Sequence, residues 1–187
     1  EIPTNSELQL IGENAFSETN IKQIFIPQKV EYLNRASFNP KKLRKIDISS
    51  DNSNFVVKDE QYVLGKSDPE SDNFDVLEFV IGNPTESLIP SNIKIISPYA
   101  FNKCNNLTKV VIPEDSELQI IGEYAFSGTS IKQIFIPPHV SYIDDEAFHY
   151  CFDLKIIEIA ENYELQSIDF LNHRHLKSIL MIPPNEW

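Results

Sequence analysis

Along the chain, apolar β-branched residues recur at alternate positions just ahead of a proline, as in Ile131-Lys132-Gln133-Ile134-Phe135-Ile136-Pro137. Ile134 and Ile136 keep a period of two, the spacing of a strand with one buried face. Pro137 has no amide donor and a fixed φ, so it ends the strand and turns the chain. Val140 and Ile143 then point back toward the core, and Ala147-Phe148 follows, a small residue that lets neighbouring coils approach and a ring that fills the layer between them. The same pieces return in the same order. The Ile-Pro element or its equivalent falls at Ile26, Ile48, Ile89, Ile112, Ile136, Ile159 and Ile182, and the ring at Phe16, Phe38, Phe101, Phe126, Phe148 and Phe170. Most steps between rings are 22 to 25 residues, and SELQLIGENAFSETNIKQIFIP at 6–27 returns at 116–137 with 18 of 22 positions unchanged. Such a period is the signature of a solenoid built from stacked coils. It predicts six repeats with strands near 22–26, 44–48, 108–112, 132–136, 155–159 and 177–182.

The period breaks once. Ile48 and Ile89 stand 41 residues apart with no Ala-Phe pair between them. Two β runs, 54–65 and 76–82, surround a polar stretch containing Pro69, which predicts a β-hairpin insertion at about 51–86 within a single solenoid domain, 1–187. That insertion holds nine acidic residues against Lys58 and Lys66, a net charge of -7 out of -12 for the chain. A charge run of this kind predicts a solvated loop. Asp68, Glu70 and Asp72 alternate as calcium ligands do, but the glycine and distal glutamate of an EF-hand loop are missing at the required spacing.

The words IGENAF at 11–16, YAFNKC at 99–104, IGEYAF at 121–126 and EAFHYC at 146–151 resemble the leucine-rich repeat, and within it the BspA-like surface antigens. The resemblance covers roughly four fifths of the chain. It implies a right-handed leucine-rich-repeat solenoid of the α/β horseshoe class, rich in β, with a parallel sheet on the concave face and short turns or 3₁₀ pieces on the convex face. Hairpin inserts with an Asn-x-Phe start are common in that family, which favours one continuous domain.

Composition removes several functions. With 28 acidic against 16 basic residues and a pI near 4.7, the surface repels phosphate backbones, so nucleic acid is excluded as a partner. No apolar run reaches the roughly 20 residues that span a bilayer, so no membrane insertion is expected within this segment. Glu1 is not an initiator methionine, and both ends fall within the repeat pattern, so any targeting segment and further repeats are expected to lie outside this sequence. Cys104 and Cys151 share one slot, two rungs or about 10 Å apart, beyond the roughly 7 Å that a disulfide spans; both are expected to be buried free thiols. Thr19, Thr129 and His173 fill that slot elsewhere. The four histidines, His139, His149, His173 and His175, have no further ligand at metal spacing. No nucleophile elbow, phosphate loop or HExxH helix occurs, so no metal, cofactor or catalytic residue is expected and the protein is read as not an enzyme. One sequon, Asn106-Leu107-Thr108, lies at a turn and is read as a chance match.

Side chains alternate across a strand, so each rung presents two outward positions on the concave sheet. They are Gln23 and Phe25, Lys45 and Asp47, Lys109 and Val111, Gln133 and Phe135, Ile156 and Glu158, then Ser178 and Leu180. Phe25, Val111, Phe135, Ile156 and Leu180 make this row apolar, and an exposed apolar strip marks an interaction surface. The expected function is that of a noncatalytic protein-interaction module, a monomer that binds a protein ligand. Its resemblance to BspA-like antigens implies an extracellular or cell-surface place and adhesion to host or matrix proteins. The alternative is a cytoplasmic scaffold built from the same repeats, which a signal peptide or anchor in the complete reading frame would set aside.

Overall fold

The computed structural model describes residues 2–161 and 176–183, and the chain divides into two compact units, Glu1–Asn83 and Pro84–Trp187. In the first unit the order is β1 (Leu10–Ile11), β2 (Gln23–Ile26), β3 (Tyr32–Leu33), a 3₁₀ turn at Arg35–Ser37, β4 (Lys45–Ile48), β5 (Val56–Lys58), β6 (Tyr62–Gly65) and β7 (Val76–Val80). The Ile-x-Ile rungs β2 and β4 pair in parallel, and so do the shorter β1 and β3 on the return arm of each coil. Ile24, Ile26, Val30, Leu33 and Ile46 point between them into one core. Phe16 stacks on Phe38 with centroids 5.8 Å apart, and Phe38 meets Phe79 of β7 at 5.5 Å. The insertion thus supplies the ring that the missing Ala-Phe pair would have contributed.

The second unit runs β8 (Glu86–Leu88), β9 (Ile95–Ile96), β10 (Lys109–Val111), β11 (Ile120–Ile121), β12 (Gln133–Ile136), β13 (Tyr142–Ile143), β14 (Ile156–Ala160) and β15 (Ser178–Ile182). The rung strands pair in parallel as β8 with β10 and as β12 with β14 and β15; β9, β11 and β13 pair in parallel on the return arms. Phe101, Phe126 and Phe148 form the ring column, with centroids 5.0 and 5.4 Å apart and planes 10° and 5° from parallel. All three are shielded from solvent, as are Ala100, Ala125 and Ala147 beside them. Each stacked pair adds about 0.5–1.5 kcal/mol beyond the area it buries. The fold is a leucine-rich-repeat β-solenoid with an antiparallel insertion.

Several details depart from the sequence reading. The run 54–65 is two strands, since β5 and β6 form their own antiparallel hairpin about Asp59-Glu60. Both turn residues have positive φ, 53° and 52°, the conformation that Asn-Gly usually supplies; Lys58-Asp59-Glu60-Gln61 offers no such signal. The rung β8 was not among the predicted strands. Turns surround the Ala-Phe pairs as expected, the return arms add two-residue parallel strands, and Arg35–Ser37 is the single 3₁₀ piece among the described residues. Asp75, counted with the solvated acids, is buried and accepts hydrogen bonds from the Ser67 amide at 2.9 Å and the Ser67 hydroxyl at 2.7 Å, closing the β6–β7 connection. Asp68 caps the tip by accepting from the Glu70 amide at 3.0 Å. Phe170, His173 and His175 lie outside the described residues.

Candidate binding face

The tetrapeptide Gln-Ile-Phe-Ile sets the face, because alternation buries both isoleucines of β2 and of β12 while glutamine is exposed and phenylalanine half-buried. In the first unit, register places Gln23 opposite Lys45 and Phe25 opposite Asp47, and Lys45 Nζ lies 2.8 Å from Asp47 Oδ1. A hollow of about 800 Å³ beside β4 reaches Phe55, Val56, Glu60 and Phe74, with Arg44, Lys45 and Asp47 giving it both signs of charge.

In the second unit, Lys109 stands opposite Glu86, their charged ends 3.9 Å apart, and Val111 stands opposite Leu88. Val111 and Leu88 expose 38% and 59% of their surface. Across β12, β14 and β15 the rows read Gln133, Ile156, Ser178 and Phe135, Glu158, Leu180. Val111, Phe135 and Glu158 line a hollow of about 650 Å³ together with Pro113, Glu114 and Asp115. Each of the twelve outward positions is exposed or half-buried on its rung. Four fall in the first unit and eight in the second. Leu88 and the Pro113-Glu114-Asp115 turn escaped the sequence reading: β8 reads Glu-Ser-Leu, with Ser87 where other rungs carry an isoleucine or valine, and a turn has no strand period to announce which way it projects.

Cys104 and Cys151 are free and buried. Cys151 Sγ donates to the Phe126 carbonyl at 3.0 Å and lies 3.3 Å from Thr129 Oγ1. Burial pushes its pKa up, opposed in part by the Thr129 contact. A thiol held protonated in this way is a poor nucleophile. Among the described residues, no three His, Cys, Asp or Glu side chains are placed to hold a metal, and no helix is long and apolar enough to cross a membrane.

Rungs, ring column and outward strip define a repeat protein of the leucine-rich class. The family described as BspA type Leucine rich repeat region matches in six copies over residues 1–59 and 79–185, and the chain belongs to it. No curated protein matches in sequence. A leucine rich cell surface protein from Faecalibacterium prausnitzii A2-165 is 25% identical, with a TM-score of 0.62 over 93% of this chain and 51% of its own. A leucine-rich repeat protein from Eubacterium ventriosum is 21% identical, with a TM-score of 0.62 over 94% of this chain and 52% of its own. The pneumococcal vaccine antigen PcpA is 20% identical, with a TM-score of 0.70 over 97% of this chain and 50% of its own. The last two likenesses concern the fold alone. The chain spans about half the length of these proteins.

Proposed function

We propose that the chain is a noncatalytic, monomeric protein-interaction module of a cell-surface protein, taking a host or matrix protein on the outward face of its rung strands. The observation that carries this reading is the outward placing of Leu88, Val111, Phe135 and Leu180 on the rung strands, with Val111 and Phe135 lining a 650 Å³ hollow. Apolar side chains left on the open side of a sheet raise the free energy of the isolated protein and are relieved when a partner covers them. Repeat arrays suit such a role, because each coil adds a strip to an extended surface without altering its neighbours. The similarity to a leucine rich cell surface protein supports an extracellular place. The chain's membership of a repeat family, and its lack of any nucleophile elbow or phosphate loop, support a role without catalysis.

The test is a double variant, Val111→Ser with Phe135→Ser, compared with the native chain on a panel of immobilised extracellular-matrix proteins by surface plasmon resonance. Neither residue packs in the core, so the pair should lower stability by no more than about 1 kcal/mol. At least one matrix protein should bind the native chain, and the variant should lose about tenfold or more of that affinity, as removal of apolar anchors does. Equal binding by the two proteins would rule out the rung face.

A further inference from the structure

A second surface of the Pro84–Trp187 unit is unusual on different grounds. On the turns around the Ala-Phe pairs, away from the rung strands, aromatic side chains run from coil to coil. Tyr99 and Tyr124 occupy the position just before the pair and stack with centroids 5.2 Å apart. Tyr124 meets His149 edge-on at 5.5 Å, His149 touches Tyr150 at 3.9 Å, and Tyr150 leads to Phe152 at 5.8 Å. Tyr150 and Phe152 expose 62% and 58% of their surface.

These tyrosines are held where tyrosine is disfavoured. Tyr99, Tyr124 and Tyr150 have φ of 64°, 52° and 57°, the left-handed region that opposes a Cβ and a bulky side chain. The chain itself shows that the coil does not require them. In the near-identical stretch at 6–27, the position of Tyr124 is taken by Asn14 at φ 59°, and in the preceding coil the position of Tyr150 is taken by Gly128 at φ 68°. Asn and Gly adopt this conformation with little strain. Strained residues that the fold can replace more cheaply point to a ligand-facing surface.

The charge around them has one dominant sign. Glu123 and Asp144 are near enough to act on the phenols of both Tyr124 and Tyr142, with Glu146 beside the first and Asp145 beside the second. The Tyr142 hydroxyl donates to Asp144 Oδ2 at 3.0 Å, and Glu146 Oε2 lies 2.6 Å from His149 Nδ1. Against four carboxylates stands Lys103, which fills the Tyr150 position two coils earlier.

We propose that this aromatic and acidic face is a docking surface for an arginine-bearing segment of another protein, separate from the rung face. A guanidinium stacks flat on an aromatic ring and forks onto a carboxylate at the same time; lysine keeps only the charge, and citrulline keeps the shape without it. The experiment uses the intact chain and a synthetic peptide with three arginines spaced by glycine and serine, beside its lysine and citrulline counterparts. Titration calorimetry at about 0.15 M salt removes the long-range attraction of a highly acidic protein. The arginine peptide should bind, the lysine peptide about fivefold or more weakly, and the citrulline peptide not measurably. Tyr124→Asn and Tyr150→Gly, which place residues the chain already uses at these positions, should together lower the affinity about tenfold while thermal stability holds or rises. Tyr124→Asn alone is the second variant should the pair melt early. Val111→Ser with Phe135→Ser should leave the affinity as it was. Absence of binding by the arginine peptide, equal binding of any two peptides, or native affinity in the tyrosine variants would overturn the proposal.

Discussion

Gly12 and Gly122 hold the same position in the two near-identical stretches, yet their surroundings differ. A Cβ at Gly122 would lie 2.7 Å from Pro98 N and 2.9 Å from Pro98 Cδ, whereas at Gly12 it would meet Leu10 Cδ2 at 3.3 Å. The pyrrolidine ring cannot swing aside, but the end of a leucine can. Gly122→Ala should therefore cost about 1–3 kcal/mol, the usual penalty of overpacking, and Gly12→Ala no more than about 0.5 kcal/mol. Urea denaturation of the two variants measures the difference, and equal losses would show that the coil around Pro98 yields freely. The same distinction separates Phe126, fully buried between Phe101 and Phe148, from the half-buried Phe16. The words Ile-Gly-Glu and Ala-Phe made both positions legible in the sequence. Their tightness was not legible, because it belongs to the coil stacked against each one rather than to the word itself.

Among the elements, the entry to the insertion depends on Asn52, which is 7% exposed. Its Nδ2 donates to the carbonyls of Pro27 at 2.9 Å and Val30 at 3.1 Å, while its Oδ1 accepts from the amides of Asn54 and Phe55, both at 2.9 Å. One side chain thus ties the turn after β2 to the start of β5, with both halves of its amide satisfied. Asn52→Asp keeps the shape but sets a carboxylate oxygen against two carbonyls. The expected loss is about 3 kcal/mol or more, since a buried group is left unpaired and charged. A near-neutral melt for this variant would show that the tie is not formed in solution. Sequence patterning proposed an insertion at about 51–86, and Glu86 at its expected end already belongs to the rung strand β8. Patterning did not find the turn between β5 and β6, because Asp59-Glu60 carries no glycine, nor the burial of Asp75, because an acid in an acidic run looks solvated until its Ser67 partners are seen. On the rung face the outward positions given by alternation are exposed or half-buried, but β15 breaks the rule, since Ile179 and Met181 are exposed beside Leu180.

At the scale of the whole molecule, repeat proteins draw stability from each coil and from the interface with its neighbour, so cooperativity reports how far those interfaces run. We propose that residues 1–187 unfold as one solenoid. The rung motif resumes at β8 after the insertion, and the insertion itself extends the ring column of the first unit through Phe79, 5.5 Å from Phe38. Calorimetry should then give a single transition with calorimetric and van't Hoff enthalpies equal. Phe38→Ala provides the decisive comparison, because truncating a buried ring costs about 3–5 kcal/mol where it sits. In one cooperative solenoid the entire transition moves to lower temperature and remains single. If Glu1–Asn83 and Pro84–Trp187 are independent domains, the substitution lowers one transition and leaves a second at the native temperature.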